Sequence, residues 1–297
     1  MENLQSDHLD TQNLYRDMQK RTGGEIYIGV VGPVRTGKST FIKRFMDVAV
    51  LPYMEDAAQK TRAQDELPQS AGGRTITTTE PKFIPQEAVE LKLAGEVTIR
   101  VRLVDCVGFM VEGAAGHLED GAERLVKTPW YDHEIPFTQA AELGTRKVIT
   151  DHSTIGIVVT TDGSFSDLPQ ETYLDAENQA ISELKKLHKP FLVLVNSSHP
   201  SSRTAREAAE RIEKQHSVAA MPVNCAQLSE EDIRQIMEQI LYEFPVSRVE
   251  FYMPKWVEML PFSHPLKTGL IEKIRELTGK IRTIRDLSLI HISEPTR

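Results

Sequence analysis

The stretch that decides the fold is Gly29–Phe41, GVVGPVRTGKSTF. The apolar run Ile26–Gly32, which overlaps the beginning of this stretch, predicts a buried strand. The segment KSTFIKRFMDVAVLP has apolar residues at helical spacing and predicts a helix. Between strand and helix, GPVRTGKS fits the pattern G-x-x-x-x-G-K-[ST] in the context that this pattern requires. The sequence therefore predicts a phosphate-binding loop, called the phosphate loop below (Gly32–Ser39).

The residue types of the phosphate loop suit this chemistry. Its glycines let successive backbone N–H groups point at phosphate oxygens, and the start of the helix adds the positive end of its dipole. In loops of this kind the lysine, here Lys38, bridges the β- and γ-phosphates, and the serine, here Ser39, ligates Mg²⁺. The predicted nucleotide-binding residues at this point are Gly32, Arg35, Thr36, Gly37, Lys38, Ser39 and Thr40.

The segment RLVDCVG predicts the second half of the same site. Asp105 ends an alternating apolar strand, so its carboxylate can reach Mg²⁺ through water. Gly108 follows at the D-x-x-G spacing of GTPase-like P-loop proteins, in which the backbone N–H of this glycine meets the γ-phosphate. Placed one strand after the phosphate loop, the pair predicts groups that contact the metal and the terminal phosphate.

A threonine-rich segment, GGRTITTTEPKF, lies between these two motifs. GTPase-like proteins place their first switch here, with one threonine on Mg²⁺ and the γ-phosphate, and the candidates are Thr75, Thr77, Thr78 and Thr79. Because threonine also favours β-strands, a purely structural role is the alternative for this cluster.

The position after Gly108 departs from a Ras-like enzyme. Such an enzyme carries a glutamine there that positions the attacking water, whereas this chain has Phe109. A phenylalanine cannot orient water. We therefore expect catalysis to draw on the switch threonines, Arg35, Arg74 or a partner chain.

The motif that reads guanine in GTPase-like proteins, Asn-Lys-x-Asp, is also altered. After the strand FLVLVN the chain reads Asn196-Ser197-Ser198-His199, called the base motif below. The lysine that packs on the base and the carboxylate that accepts guanine's N–H groups are both absent. A site that depends on such polar pairing discriminates through it, so guanine specificity is disfavoured and adenine is possible. Asn196 and Gly108 complete the predicted nucleotide-binding residues.

Strand-like and helix-like segments alternate along most of the chain. The strands are EIYIGVVG, VTIRVRLVD, STIGIVVTTD, PFLVLVN and VAAMPVNC; later helices are PQETYLDAENQAISELKKLHK, RTAREAAERIEKQHS and SEEDIRQIMEQILYEF. Ser229 is the predicted N-cap of the last helix. This alternation predicts parallel βαβ units and an α/β fold, a P-loop NTPase of the GTPase-like (TRAFAC-type) class with a doubly wound, mostly parallel sheet.

The predicted nucleotide-binding domain covers residues 21–245, after a polar N-terminal helix or extension over 1–20. Within it, the polar stretch 53–79 has no clean period, and 109–137 reads as an irregular insertion. Residues 246–286 begin a second α/β region, with VSRVEFYMP as a strand and LKTGLIEKIRELTGKIRTIRDL as a basic amphipathic helix.

Composition narrows the class further. Of 297 residues, 40% are hydrophobic and 26% are charged, as in soluble globular proteins. The formal charge of −8 does not favour nucleic acid or an anionic membrane as a partner. Cys106 and Cys225 are predicted to be buried free thiols. With no signal peptide or apolar run of the ~20 residues that span a bilayer, we expect a cytoplasmic protein without a transmembrane segment.

Several long strings carry a more specific resemblance. They are TGGEIYIGVVGPVRTGKSTFIKRFM, RAQDELPQSAGGRTITTTEPKF, RLVDCVGFMVEGAAG, TPWYDHEIPF, AAELGTRKVITDHSTIGIVVTTDGS and LYEFPV. From about residue 12 to residue 286 the chain resembles the stage IV sporulation protein A family of endospore-forming bacteria. The resemblance implies a GTPase-like P-loop fold that uses ATP and Mg²⁺, and a protein that assembles into filaments as the basement layer of the spore coat.

The same resemblance implies partners, a location and residue roles. The partners are further copies of the chain, other coat proteins and a small amphipathic peptide that recruits the family to the outer forespore membrane from the mother-cell cytoplasm. ATP hydrolysis would drive polymerisation. The implied catalytic residues are Lys38, Thr78, Thr79 and Asp105, and the implied Mg²⁺ ligands are Ser39, Thr79 and Asp105. Family members continue well beyond this length, so 287–297, which ends in SLIHISEPTR, is interpreted as a non-native read-through tail.

Three functions follow from these observations. The first, favoured by the resemblance, is an assembly ATPase that builds a coat. The second is a regulatory GTPase, which the altered base motif disfavours. The third is a nucleotide-binding scaffold without turnover. The presence of Lys38, Ser39 and Asp105 argues against this function, but the missing glutamine leaves it open.

Overall fold

The structure, a computed structural model, describes Thr22 and residues 24–54, 56–68, 80–92, 98–114, 118–119, 122–165, 168–246 and 248–287. The predicted switch residues Arg74, Thr75, Thr77, Thr78 and Thr79 lie outside the described residues, as do the predicted N-terminal helix and most of the predicted tail. The chain divides into two compact units, Met1–Ile240 and Leu241–Arg297.

A mostly parallel sheet forms the centre of the first unit. Among the described residues it has six strands in the order β10-β9-β8-β1-β3-β2. Their bounds are β1 Glu25–Val31, β2 Lys82–Lys92, β3 Thr98–Asp105, β8 Ile155–Thr161, β9 Phe191–Asn196 and β10 Ala220–Val223. The β2–β3 pair is antiparallel, and the other pairs are parallel. Every residue of β8 and β9 is buried, as expected for strands covered on both faces.

The helices of this unit alternate with the strands. They are α1 Lys38–Phe45, α2 Ala57–Asp65, α3 Phe137–Lys147, α4 Leu174–Lys186, α5 Arg203–His216 and α6 Glu230–Tyr242. One turn of π-helix extends α1 over Met46–Val50, and another extends α3 over Val148–His152. The predicted α/β fold of the GTPase-like P-loop class is therefore confirmed. Ser229 caps α6 as predicted, since its Oγ accepts from the N–H of Asp232 at 3.2 Å.

Strand register brings the predicted site together. Val30 of β1 lies opposite Asp105 of β3, and on the other side of β1, Val31 lies opposite Val158 of β8. The carboxyl ends of these parallel strands therefore meet at one edge of the sheet. Ligands of open α/β sheets bind at this edge, where the chain turns from one side of the sheet to the other.

Three sequence predictions for this unit need correction. Helix α2 lies in the stretch that showed no period, because only Ala63 of this helix is buried and its start depends on a cap by Asp56, whose Oδ1 accepts from Ala58 N at 2.8 Å. Helix α3 was not predicted, since its buried face consists largely of small residues. Strand β2, at the sheet edge, was also not predicted.

The segment 109–137 is not irregular throughout. It contains the short strand pairs β4 Leu118–Glu119 with β5 Ala122–Glu123, and β6 Leu125–Thr128 with β7 Tyr131–Pro136. At its beginning, Phe109, Val111 and Ala114 are buried in the main core. The prediction was wrong because the many glycines and charged residues of this segment obscured the patterns of its short strands and of the apolar residues that pack into the core.

The second unit contains α7 Lys255–Glu258 and α8 Pro265–Thr278. The predicted strand at 246–254 is wrong: its described residues have no regular structure, and Arg248, Glu250, Phe251 and Tyr252 are exposed without a neighbouring strand. The predicted long basic helix begins at Pro265 but ends at Thr278. None of the helices formed by described residues has the length and apolar character needed to cross a membrane.

Candidate nucleotide-binding site

The phosphate loop joins β1 to α1, and its glycines are required by both conformation and space. Gly32 has φ 129° and Gly37 has φ 97°, values that residues with a side chain rarely adopt. A Cβ atom on Gly32 would lie 2.4 Å from the carbonyl oxygen of Val159, and one on Gly37 would lie 2.3 Å from Asn196 Nδ2. The loop therefore curls tightly against β8 and β9.

Thr36 ties the loop to β8. Its Oγ1 lies 2.6 Å from the Val159 carbonyl oxygen and 3.0 Å from that of Pro33, and the residue is fully buried. The hydroxyl of Thr36 thus holds the loop in shape. Arg35 precedes it with φ 62° and an exposed side chain, and Thr40 lies in the first turn of α1.

The Lys38 ammonium is buried within the loop that it is predicted to serve. Its Nζ donates to the Pro33 carbonyl oxygen at 2.5 Å, and only 5% of the residue is exposed. Burial lowers the pKa of Lys38, and the nearby Asp105 carboxylate opposes that shift. A buried ammonium that contacts one carbonyl has donors left for an anion, which is how a phosphate-binding lysine acts.

Asp105 and Ser39 meet beside this lysine. Ser39 Oγ donates to Asp105 Oδ2 at 3.0 Å, while Asp105 Oδ1 is buried and has no hydrogen-bond partner among the described residues. Burial raises the pKa of Asp105, against the opposing charge of Lys38. A buried carboxylate oxygen without a partner calls for an explanation, and an ion is one.

The residues at this point fit Mg²⁺. A serine hydroxyl and a carboxylate are hard oxygen ligands, and Mg²⁺ is commonly held by one or two such groups together with phosphates and water. Within the described ranges, no cluster of three or more His, Cys, Asp or Glu residues could hold a metal alone. Ser39 and Asp105 would therefore bind the ion together with a nucleotide. The third predicted ligand, Thr79, lies outside the described residues.

The segment after Asp105 is fixed against the phosphate loop. Phe109 N donates to Gly32 O at 3.0 Å, and Val34 N donates to Phe109 O at 2.9 Å. The ring of Phe109 is fully buried in the core. Phe109 is thus an anchor of this segment, which agrees with the expectation that it does not orient water.

Gly108 lies directly beside Lys38. It has φ 102°, and a Cβ atom there would lie 2.4 Å from Gly32 O and 2.5 Å from Lys38 Nζ. Its N–H donates to Thr145 Oγ1 of α3 at 3.1 Å. Sequence reasoning missed Thr145, because no motif surrounds it and its helix was not predicted.

Asn196 of the base motif braces the site from the other side. Its Nδ2 donates to Thr36 O at 2.9 Å, and its Oδ1 accepts from Cys225 N at 3.0 Å. Each polar atom of the amide therefore has a protein partner, and the side chain links the phosphate loop to the chain after β10.

The remaining base-motif residues carry no carboxylate and no lysine. Ser197 is buried, and its Oγ accepts from His199 N at 3.0 Å and lies 3.4 Å from Ser164 Oγ. Ser198 N donates to Ser164 Oγ at 2.8 Å, and His199 is exposed. The hydroxyl at the lysine position, that of Ser197, is thus engaged with the His199 N–H and the Ser164 hydroxyl.

This sheet order, with a phosphate loop after β1 and an aspartate at the end of β3, defines a P-loop nucleoside triphosphatase of the GTPase-like class. The chain itself belongs to the stage IV sporulation protein A family. The family model described as "Stage IV sporulation protein A, ATPase domain" matches residues 9–245, and the model described as its middle domain matches residues 246–294. The second match extends into the segment that was interpreted as a tail.

Curated relatives of the same name agree. Stage IV sporulation protein A of Clostridioides difficile (strain 630) is 48% identical over 275 residues, which are 93% of this chain and 56% of the relative. That of Bacillus subtilis (strain 168) is 43% identical over 282 residues, 95% of this chain and 57% of the relative. The chain thus spans little more than half the length of these relatives.

Solved structures give weaker likenesses. A complex of SsGBP with GDP has a TM-score of 0.41 and 13% identity, covering 73% of this chain and 49% of that one. Translation elongation factor SelB from Methanococcus maripaludis with the GTP analogue GppNHp has a TM-score of 0.39 and 14% identity, covering 73% and 33%. The fold assignment depends on the sheet order and the phosphate loop.

Proposed function

We propose that this chain binds and hydrolyses ATP with Mg²⁺ as part of a self-assembling structural protein of the bacterial spore coat. Hydrolysis would be coupled to polymerisation into the basement layer on the outer forespore membrane, on the mother-cell side. The observation that carries the proposal is the joint geometry of Lys38, Ser39 and Asp105, in which one buried carboxylate oxygen has no hydrogen-bond partner among the described residues.

Different groups of the chain would bind the phosphates and the metal ion. The phosphate loop presents its N–H groups, and Lys38 exchanges the Pro33 carbonyl for phosphate oxygens. Ser39 and Asp105 would hold Mg²⁺, which would supply positive charge to neutralise the phosphates when bound. Arg35 and the threonines Thr78 and Thr79 are the proposed groups that orient water or stabilise the transition state, because Phe109 is buried.

ATP is the preferred nucleotide of this proposal. Guanine would present N–H donors to a position that holds the exposed His199 in place of a carboxylate. The matching family model is also described as an ATPase domain. These two observations together favour ATP over GTP.

The assembly role and partners are proposed from family membership. The partners would be further copies of the chain, other coat proteins and a small amphipathic membrane peptide that gives peripheral membrane association. Nucleic acid is not among them, in keeping with the formal charge of −8.

Side-by-side hydrolysis of ATP and GTP with Mg²⁺ tests the proposal, with Lys38→Ala as the blank and light scattering followed in the same samples. We expect ATP turnover that Lys38→Ala abolishes, and scattering that rises with turnover. GTP turnover without ATP turnover would favour the regulatory GTPase, and nucleotide binding without turnover would favour the scaffold. ATP turnover without scattering would remove the coupling to assembly from the proposal.

A further inference from the structure

The hydroxyl of Thr145 makes two hydrogen bonds in opposite senses. It accepts from the N–H of Gly108 at 3.1 Å and donates to the carbonyl oxygen of Ala141, one turn earlier in α3, at 2.8 Å. Thr145 is fully buried. The donated bond directs the hydroxyl hydrogen to Ala141, so the oxygen is left to accept from Gly108. The thiol of Cys106 also lies within reach of both groups, but sulfur is a weak acceptor.

The Gly108 N–H belongs to the phosphate end of the site. The backbone of Gly108 contacts Lys38, since a Cβ atom there would lie 2.5 Å from Nζ. Through Phe109 the segment is hydrogen-bonded to Gly32 and Val34 of the phosphate loop. A backbone N–H beside a buried ammonium is a favourable donor to an anion, so a terminal phosphate bound by Lys38 would lie within its reach.

Resting on the proposed function, we propose that Thr145 is a positioning residue for recognition of the terminal phosphate. In this structure its hydroxyl accepts from the Gly108 N–H, and a γ-phosphate oxygen of ATP would replace it as the acceptor. One N–H cannot make two full hydrogen bonds, so the two acceptors compete. ADP has no γ-phosphate and leaves the bond to Thr145 in place.

Two consequences separate this role from simple helix packing. Thr145 lowers the affinity for ATP without lowering that for ADP, because only ATP must displace it. It also makes α3 respond to the γ-phosphate, since the link between Gly108 and α3 is present with ADP and absent with ATP. A purely structural threonine would change the affinities for both nucleotides equally.

The test uses Thr145→Val, which keeps the shape of the side chain and removes the acceptor. Calorimetry with Mg²⁺ would give the affinities for ADP and for the non-hydrolysable analogue AMPPNP. We expect the preference for AMPPNP over ADP to rise about three- to tenfold, the value of one hydrogen bond that the free protein no longer makes. Thr145→Ser keeps the hydroxyl and should keep the wild-type preference.

Thr150→Val is the matched control. Thr150 Oγ1 also donates to a carbonyl one turn earlier, that of Arg146 at 3.0 Å, but it has no bond to Gly108. This variant should leave the preference unchanged. Equal changes for both nucleotides in Thr145→Val, no change at all, or the same change in Thr150→Val would overturn the inference.

Wild-type protein supplies a second readout if Thr145→Val does not fold. Amide hydrogen exchange of α3 should increase with AMPPNP and stay at the nucleotide-free level with ADP. Identical exchange with both nucleotides would overturn the inference while leaving the proposed function intact. Failure of the wild type to bind either nucleotide would instead overturn the proposed function itself.

Discussion

The phosphate end and the base end of the site lie at the same edge of one sheet, yet their side chains are used differently. At the phosphate end, Lys38 donates to the Pro33 carbonyl, and Asp105 keeps a buried oxygen that has no hydrogen-bond partner among the described residues. At the base end, the Asn196 amide joins two protein segments, and Ser197 and Ser198 are bonded to a neighbouring loop.

The difference indicates which part of the site recognises the nucleotide. The phosphate end keeps groups that a ligand can take over, as recognition of phosphates and Mg²⁺ requires. The base end has the character of a brace, whose polar atoms stabilise the loop that holds the phosphates. Changing one end at a time tests this division of roles.

The largest effect is expected from Gly108→Ala. The added Cβ would meet Lys38 Nζ at 2.5 Å and Gly32 O at 2.4 Å, so the lysine and the N–H beside it would both be displaced. We expect ATP turnover to fall by at least about 100-fold, the loss typical of a misplaced charge-stabilising group. Gly24→Ala is the control, since Gly24 has φ 84° but nothing within 4 Å of the added atom. Equal losses in both variants would show that backbone strain alone explains the effect.

Asp105→Asn should raise the Mg²⁺ concentration needed for half-maximal turnover by about 10- to 100-fold, the usual effect of losing a group that supports a metal. The amide keeps the size of the side chain but removes the negative charge. Mg²⁺ titrations of ATP turnover measure the shift. Asp151→Asn, at an exposed carboxylate 2.9 Å from Lys147, is the matched control. An unchanged Mg²⁺ requirement in Asp105→Asn would contradict the metal assignment.

Asn196→Ala tests whether the Asn196 amide holds the phosphate loop in place. The change leaves the Thr36 carbonyl and the Cys225 N–H without their partner, which should lower the free energy of unfolding by about 1–3 kcal/mol. Affinities for ATP and GTP should fall by the same factor, about tenfold, because the loop that holds the phosphates loosens. Urea unfolding and nucleotide titration measure the two quantities. Asn224→Ala is the control, since it removes the bonds from Ala226 N at 3.0 Å and to Ser198 O at 3.5 Å but leaves those of Asn196 to Thr36 and Cys225 in place. A loss for one nucleotide alone would make Asn196 a base-reading residue.

The smallest effect concerns the two thiols, one at each end. Burial raises the pKa of Cys106 to about 11 and that of Cys225 to about 12. Because the thiolate is the reactive form, both should resist iodoacetamide at pH 8 in folded protein and react fully in denaturant, with rates that rise as pH rises. Mass spectrometry after timed labelling measures this. Fast labelling of Cys225 alone would show that the base end opens and is not a brace.

The phosphate end was predictable because its chemistry is local. Gly32, Lys38 and Ser39 fall within one loop, and the strand before Asp105 carried a clear apolar pattern. Strand alternation likewise predicted the parallel sheet, since buried strands are continuous apolar runs.

Other parts depended on contacts between distant residues. Thr145 lies 37 positions from Gly108, and Asn196 lies 160 positions from Thr36, so no local pattern marks either bond. Helix α3 was hard to predict because its buried face consists largely of the small residues Ala140, Ala141 and Gly144. The false strand at 246–254 had strand-forming residues, but among the described residues its backbone pairing ends with the bond from Val246 N to Arg282 O.

Competition between ATP and GTP at equilibrium is the measurement that tests the proposed preference for ATP. A fluorescent ATP analogue would be bound to wild-type protein with Mg²⁺ and displaced by ATP or by GTP. We expect ATP to displace it at a concentration at least about tenfold below that of GTP, since the base motif offers guanine no carboxylate. Displacement by GTP at equal or lower concentration would rule out the proposed preference for ATP, because a guanine-reading group would then lie outside the base motif.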